Sequence, residues 1–78
     1  MDLIVSVKAK LIPVEIKLTA TPTLRHADPL RKFAAVAGAE AAPGLLVCRV
    51  QKETPLTGGH VALPWRKFPS WLEERLGE

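Results

Sequence analysis

The chain has 78 residues and a mass of 8.5 kDa, which predicts one small domain, because domains run to roughly 100–200 residues each. Hydrophobic residues at 47% and charged residues at 24% are typical of a globular protein and exclude wholesale disorder. No apolar run approaches the roughly 18 residues that a membrane span needs, so we expect no membrane association. The net charge of +3 permits an anionic partner without requiring one.

The cysteine content and the first residues indicate the compartment. The single cysteine, Cys48, excludes a disulfide within the chain. The start, Met1-Asp2-Leu3, lacks the basic and apolar segments of a secretory signal. We therefore predict a cytoplasmic location. Cys48 lies in an apolar stretch and is expected to be a small buried core residue rather than a reactive thiol.

Residues 2–18 predict an antiparallel β-hairpin. Apolar and polar residues alternate in both halves, and the connection at residues 8–10 is short enough for only a tight turn. The residues expected on the buried face are Leu3, Val5, Val7, Val14, Ile16 and Leu18.

The rest of the chain predicts two helices and two strands. Asp28-Pro29 marks the start of a helix over about residues 28–38, with Asp28 as N-cap and Gly38 as C-cap. A continuous apolar run predicts a strand at 45–50, covered on both faces. A polar loop at 51–59, a short strand at 60–63 and a helix over about 69–76 follow.

This order of elements is strand, strand, helix, strand, short strand, helix. It predicts a small layered α/β unit, α+β by strict count, and the strand–helix–strand step favours a parallel crossover.

Asp2, Glu15 and Lys17 form the sharpest constellation of polar residues. Glu15 and Lys17 share a face because alternate residues of a strand point the same way. A two-residue loop at Lys8-Ala9 pairs Asp2 with Glu15, one at Ala9-Lys10 pairs it with Lys17, and a three-residue loop separates the set. The hydrophobic pattern favours the two-residue loops.

Two neighbouring carboxylates beside a lysine suit Mg²⁺, which takes one or two carboxylates plus waters and phosphate oxygens. Asp2 and Glu15 are the candidate metal ligands, and Lys17 would orient a metal-activated water beside a phosphodiester. The alternative is a solvated hairpin face, where cross-strand acid–base pairs are common. Both interpretations stay open at this point.

Asp2-Leu3-Ile4-Val5, followed by residues 12–17 (Ile-Pro-Val-Glu-Ile-Lys), resembles the D…ExK core of the PD-(D/E)xK nuclease superfamily. More narrowly, the order of Glu15-Ile16-Lys17, Leu45-Leu46-Val47 and Leu63-Pro64-Trp65 resembles the functionally uncharacterised C-terminal domain of prokaryotic AAA-type ATPases. The resemblance covers nearly all of this chain but only the last part of that architecture.

The resemblance implies a partial restriction-endonuclease-like topology and an ATPase as a possible partner. It also implies that Asp2 and Glu15 bind metal and that Lys17 is the catalytic lysine. The superfamily core opens with a helix and a strand that this chain lacks before Asp2, and the phosphate loop of the ATPase is missing. We therefore expect a detached tail of the larger protein.

Three functional hypotheses follow from these observations. The first is a non-catalytic packing module that forms a homodimer, because the strand at residues 2–8 would present an open edge. The second is a Mg²⁺-dependent nuclease that uses Asp2, Glu15 and Lys17. The third is a weak nucleic-acid binder whose affinity falls with salt. Its candidate phosphate contacts are Arg25, Arg31, Lys32, Arg66, Lys67 and Arg75.

The histidines and aromatic residues have more ordinary interpretations. His26 and His60 have no zinc-type spacing and are expected to be solvated loop residues. Trp65, Phe68 and Trp71 could stack on bases, but their helical spacing beside Leu72 is more typical of a core.

Overall fold

The computed structural model describes residues 1–77. In chain order, its strands and longer helices are β1 (Leu3–Val7), β2 (Lys10–Ile16), α1 (Asp28–Ala37), β3 (Leu45–Cys48), β4 (Thr54–Pro55), β5 (Val61–Pro64) and α2 (Phe68–Leu76). Short 3₁₀ turns lie at Leu24–Ala27, Gly38–Glu40, Thr57–Gly59 and Trp65–Lys67.

The strands form one mixed five-stranded sheet in the order β1-β2-β3-β5-β4. The antiparallel hairpin of β1 and β2 forms one end, and β2, β3 and β5 run parallel. Strand β4 pairs antiparallel with β5 at the other edge. Together with the two helices this is an α+β fold, and the predicted parallel crossover from β2 through α1 to β3 is confirmed.

The sheet is covered on both faces, because alternate residues of β3 belong to two different core clusters. On one face Leu45 and Val47 join a cluster against which Phe68, Trp71 and Leu72 of α2 pack. On the other face Leu46 and Cys48 join a cluster with Leu30 of α1. The predicted doubly covered strand and the predicted burial of Cys48 are both confirmed.

Helix α1 begins and ends as its flanking residues dictate. Pro29 occupies the first turn, where its missing N–H costs nothing, and Gly38 ends the helix with φ +60°. The prediction that Asp28 is the N-cap is wrong by one residue. Ala27 is the cap, because a 3₁₀ turn leads directly into the helix, and Asp28 is its first residue.

Several other predictions need correction. Strand β2 ends at Ile16, so Leu18 lies outside the sheet and is 86% exposed, and Leu3 and Ile16 are 40% and 46% exposed. Val5 and Val14 are buried as expected. The loop after β3 contains the two-residue strand β4, which the sequence pattern did not predict.

Within residues 1–77, no helix has the length and apolar character that crossing a membrane requires.

Candidate functional site

The hairpin turn decides how Asp2, Glu15 and Lys17 are arranged. Lys8 and Ala9 form a two-residue turn with φ of +49° and +65°, the backbone combination whose twist suits a tight hairpin. Leu3 pairs with Val14, so the same register places Asp2 opposite Glu15. Of the registers that the sequence left open, the structure therefore has the one with a loop at Lys8-Ala9.

Glu15 is the buried member of the constellation. It is only 4% exposed and lies on the face of the sheet that α1 covers, in register with Leu46 of β3. Its Oε2 lies 3.1 Å from Nζ of Lys17, and its Oε1 lies 3.4 Å from the amino nitrogen of Met1. Oε1 is buried and accepts no hydrogen bond from the described residues. The interpretation as a fully solvated hairpin face is therefore wrong for Glu15.

Asp2 is exposed and holds the end of the hairpin. Its Oδ2 accepts a hydrogen bond from the backbone N–H of Ile16 at 2.8 Å, and its own N–H donates to the carbonyl of Val14 at 3.2 Å. The carboxylate thus extends the ladder one step beyond the paired strands. The two acids and Lys17 meet at one end of the hairpin, with Asp2 and Glu15 on the same face.

The chemistry open to this group is that of a buried ion pair or of a small cation site. Glu15 offers one oxygen with no hydrogen-bond donor, and Asp2 has one oxygen engaged with the backbone. Within residues 1–77 there is no group of three or more His, Cys, Asp or Glu side chains able to hold a metal ion. Any cation here would therefore complete its shell with water or substrate oxygens, as Mg²⁺ commonly does.

The candidate nucleic-acid contacts divide into two groups. Arg25, Arg31 and Lys32 are exposed around the start of α1, while Arg66 and Lys67 are exposed in the turn before α2. Arg31 donates a hydrogen bond to Asp28, and this bond lowers the pKa of the Asp28 carboxyl. Because the two helices cover opposite faces, the structure does not gather these cations into one stripe. Nucleic-acid contact stays a prediction.

His60 departs most clearly from its predicted environment. The sequence predicts a solvated loop residue, but His60 is 4% exposed and its Nδ1 accepts a hydrogen bond from the backbone N–H of Gly44 at 2.8 Å. Burial lowers the pKa of the His60 imidazole. His26 is half-buried, and its Nδ1 accepts from the N–H of Thr23 at 2.9 Å, in the 3₁₀ turn before α1.

The aromatic residues also separate into two environments. Phe68 and Trp71 stack with ring centroids 5.9 Å apart and pack on the core, as their spacing predicts. The guanidinium of Arg75, one of the predicted phosphate contacts, lies over the Trp71 ring, 5.0 Å from its centroid. The prediction that Trp65 belongs to the core is wrong, because Trp65 lies in the 3₁₀ turn and is 58% exposed.

Strand β1 forms an open edge of the sheet. The carbonyl of Leu11 in β2 accepts a hydrogen bond from the N–H of Ala42, and the N–H of Lys17, just after β2, donates to the carbonyl of Val47 in β3. The odd-numbered residues of β2 therefore direct their backbone groups toward β3 and away from β1. Ile4 and Ser6, which stand opposite Pro13 and Leu11, are therefore in non-hydrogen-bonded positions. Their own N–H and C=O groups point outward, along a strand whose Leu3 and Ile4 are 40% and 46% exposed.

Comparison with known proteins identifies a family that this chain matches. A family model described as "Domain of unknown function (DUF4143)" matches residues 1–68. The chain belongs to this family. No curated protein and no solved structure matches it.

The DUF4143 match spans the hairpin, α1 and the whole sheet, and it ends at Phe68, the first residue of α2. It therefore covers both the open edge and the acidic end of the hairpin. The nuclease-like activity and the ATPase partner that the sequence resemblance implies stay predictions for this DUF4143 chain.

Proposed function

We propose that this DUF4143 chain is a non-catalytic packing module that forms a homodimer through strand β1. The observation that carries the proposal is the open edge itself. Ile4 and Ser6 direct unpaired backbone groups outward, and the neighbouring apolar side chains of Leu3 and Ile4 are partly exposed. An edge of this kind is a template for pairing with another strand.

Among the antiparallel registers open to two copies, one pairs both outward-facing residues of each β1 strand. If Val5 lies on the two-fold axis, Ile4 of each copy faces Ser6 of the other, and each pair exchanges both of its backbone hydrogen bonds. The contact is then isologous, as a two-fold dimer requires, and the two sheets become one continuous sheet.

The charges at the ends of β1 agree with this register. Asp2 and Lys8 flank the strand, so the antiparallel arrangement brings Asp2 of each copy near Lys8 of the other. Opposite charges across a strand pair are favourable, whereas like charges would oppose pairing. The proposed contact thus joins hydrogen bonding, apolar burial and charge complementarity in a chain whose small size limits its own core.

The molar mass in solution, measured by light scattering, tests the proposal. We expect a dimer for the wild type and a monomer for Ile4→Lys, because a lysine on an edge strand opposes pairing. Val36→Lys is the matched control, since Val36 is 88% exposed on α1 and lies outside strand β1, and this variant should stay dimeric. A wild-type monomer at high protein concentration, or equal disruption by both variants, would contradict the proposal.

A second pair of variants separates the contribution of the backbone hydrogen bonds to dimerisation from that of the side chain. Ser6→Pro removes one outward N–H, and proline is tolerated on edge strands, so we expect weaker dimerisation. Ser6→Ala keeps the N–H and should leave the dimer intact. Amide NMR spectra of each variant establish that the fold is retained before the masses are compared.

A second candidate function is the Mg²⁺-dependent nuclease. The observation that favours it is the buried Oε1 of Glu15, which accepts no hydrogen bond from residues 1–77 and has only the Met1 amine, 3.4 Å away, as an ionic neighbour. Asp2 and Glu15 would hold the cation, which would supply an activated water. Lys17, 3.1 Å from Glu15, would orient the nearby phosphate. The residues fit such a site in part, because one Asp2 oxygen is already engaged by Ile16.

Titration with Mn²⁺ tests this candidate by paramagnetic broadening of amide signals. Broadening confined to the neighbourhood of Asp2 and Glu15, and lost in Glu15→Gln, would support the metal site. A uniform weak response, or cleavage of nucleic acid that is unchanged in Lys17→Ala, would rule the nuclease out.

A further inference from the structure

A cavity of about 490 Å³ opens at the carboxyl ends of the parallel strands. It is bounded by Ile16, Lys17 and Leu18 after β2, by Val47 and Arg49 at the end of β3, and by Trp65 after β5. In open sheets of this kind, ligands commonly bind in the crevice outside the carboxyl ends of the strands. The volume lies within the roughly 300–1,000 Å³ of small-molecule sites.

The walls of this cavity are mostly apolar and are left open to solvent. Leu18 is 86% exposed, Trp65 is 58% exposed and Ile16 is 46% exposed. Together they form a continuous lining of one cavity rather than scattered surface residues. Small-molecule sites are lined predominantly by hydrophobic and aromatic side chains, as this cavity is.

The charges on the rim distinguish between classes of ligand. Among residues 1–77, the cavity is bordered by two cations, Lys17 and Arg49, and by no carboxylate. The charge of Lys17 is already compensated by Glu15 at 3.1 Å. None of the ion pairs among residues 1–77 involves Arg49, although its side chain is exposed at the rim. Arg49 is thus free to take an anion, and a guanidinium is well suited to bidentate binding of a carboxylate.

We propose that this cavity binds a small apolar carboxylate. The aliphatic or aromatic body lies against Trp65, Ile16 and Leu18, and the carboxylate pairs with the guanidinium of Arg49. The site is at the ends of β2, β3 and β5, whereas the proposed dimer contact runs along β1, so this inference does not depend on the proposed function.

Amide NMR titration with octanoate, below its micelle concentration, tests the site in the full chain. We expect shifts confined to the residues that end β2 and β3 and to the Trp65 indole. Octanol, which has the same body without the charge, should bind about tenfold more weakly, which corresponds to one charge-assisted hydrogen bond.

Three variants complete the experiment. Arg49→Gln should weaken octanoate binding about tenfold and leave octanol binding unchanged, whereas Lys52→Gln, a change at an exposed lysine of the following loop, should alter neither. Trp65→Ala should weaken both ligands. Equal binding of octanoate and octanol, or an Arg49→Gln variant that binds like the wild type, would overturn the proposal. So would shifts at these residues that follow protein concentration without octanoate, since a second copy would then cover the cavity.

Discussion

The backbone N–H of Gly44 donates a hydrogen bond to Nδ1 of His60 across 2.8 Å, and both residues are buried. The carbonyl of Gly44 accepts in turn from the N–H of Val61 at 3.0 Å. These two bonds join the residue before β3 to the start of β5. Because Nδ1 accepts, the ring must be neutral with its proton on Nε2, so the contact requires an uncharged imidazole.

This contact predicts a loss of stability in mild acid. Burial holds the pKa of His60 below its ordinary value of 6.5. Below about pH 6.5 the unfolded chain binds a proton that the folded chain does not, so the free energy of unfolding falls until the lower folded-state pKa is reached. Chemical denaturation across this range should show the loss. His60→Asn keeps an acceptor for Gly44 but cannot titrate, and it should flatten the pH dependence.

The control for this prediction is His26→Asn. His26 also accepts a backbone N–H through Nδ1, but it is only half-buried in a 3₁₀ turn. A pH dependence that disappears in His60→Asn and persists in His26→Asn would assign it to His60. Identical slopes for the wild type and His60→Asn would show that another group causes the acid sensitivity.

Strand β2 packs so closely against Gly44 that it leaves no room for a side chain at this position. A Cβ at this position would lie 2.7 Å from Cγ and from the carbonyl oxygen of Pro13. Because Pro13 is fully buried in β2, it has little room to move. We expect Gly44→Ala to lower the free energy of unfolding by about 1–3 kcal/mol, as overpacking of a core does. Thermal denaturation measures the loss, and a variant as stable as the wild type would contradict the close packing.

The ion pair of Glu15 and Lys17 should contribute to stability even without a metal. Removing the Lys17 charge leaves a buried carboxylate without its nearest cation, and we expect Lys17→Met to cost about 1–2 kcal/mol, because Lys17 is partly exposed and its charge is partly screened. Lys67→Met, at an exposed turn residue, should change stability by less than about 0.5 kcal/mol. Equal losses of stability in the two variants would show that the ion pair does not stabilise the fold.

The sequence predicts the hairpin and limits its register to the two-residue loops, because a one-residue slip would turn Val5 and Val14 away from the core. It also predicts α1 from Pro29 and the central strand β3 from its apolar run. In each case the signal is local. The turn at Lys8-Ala9 lacks the usual Asn-Gly pair, so turn chemistry does not distinguish it from the alternative loop at Ala9-Lys10, and the hydrophobic pattern is the same for both.

The environments of single polar or aromatic residues are harder to predict. The burial of His60 depends on Gly44, which is distant in sequence and supplies the donor. Trp65 has the spacing of a helical core residue, but a 3₁₀ turn has a different pitch and leaves its side chain outside. Strand β4 is two residues long, too short for any periodicity to show.

The dimer contact through β1 is tested most directly by isotope-filtered NMR on an equal mixture of labelled and unlabelled wild-type chains. We predict intermolecular contacts between the α-protons of Val5 in the two copies, and between Ile4 of one copy and Ser6 of the other, because the antiparallel register brings these residues together. Intermolecular contacts that leave out residues 3–7, or a complete absence of them at high protein concentration, would contradict the proposed dimer.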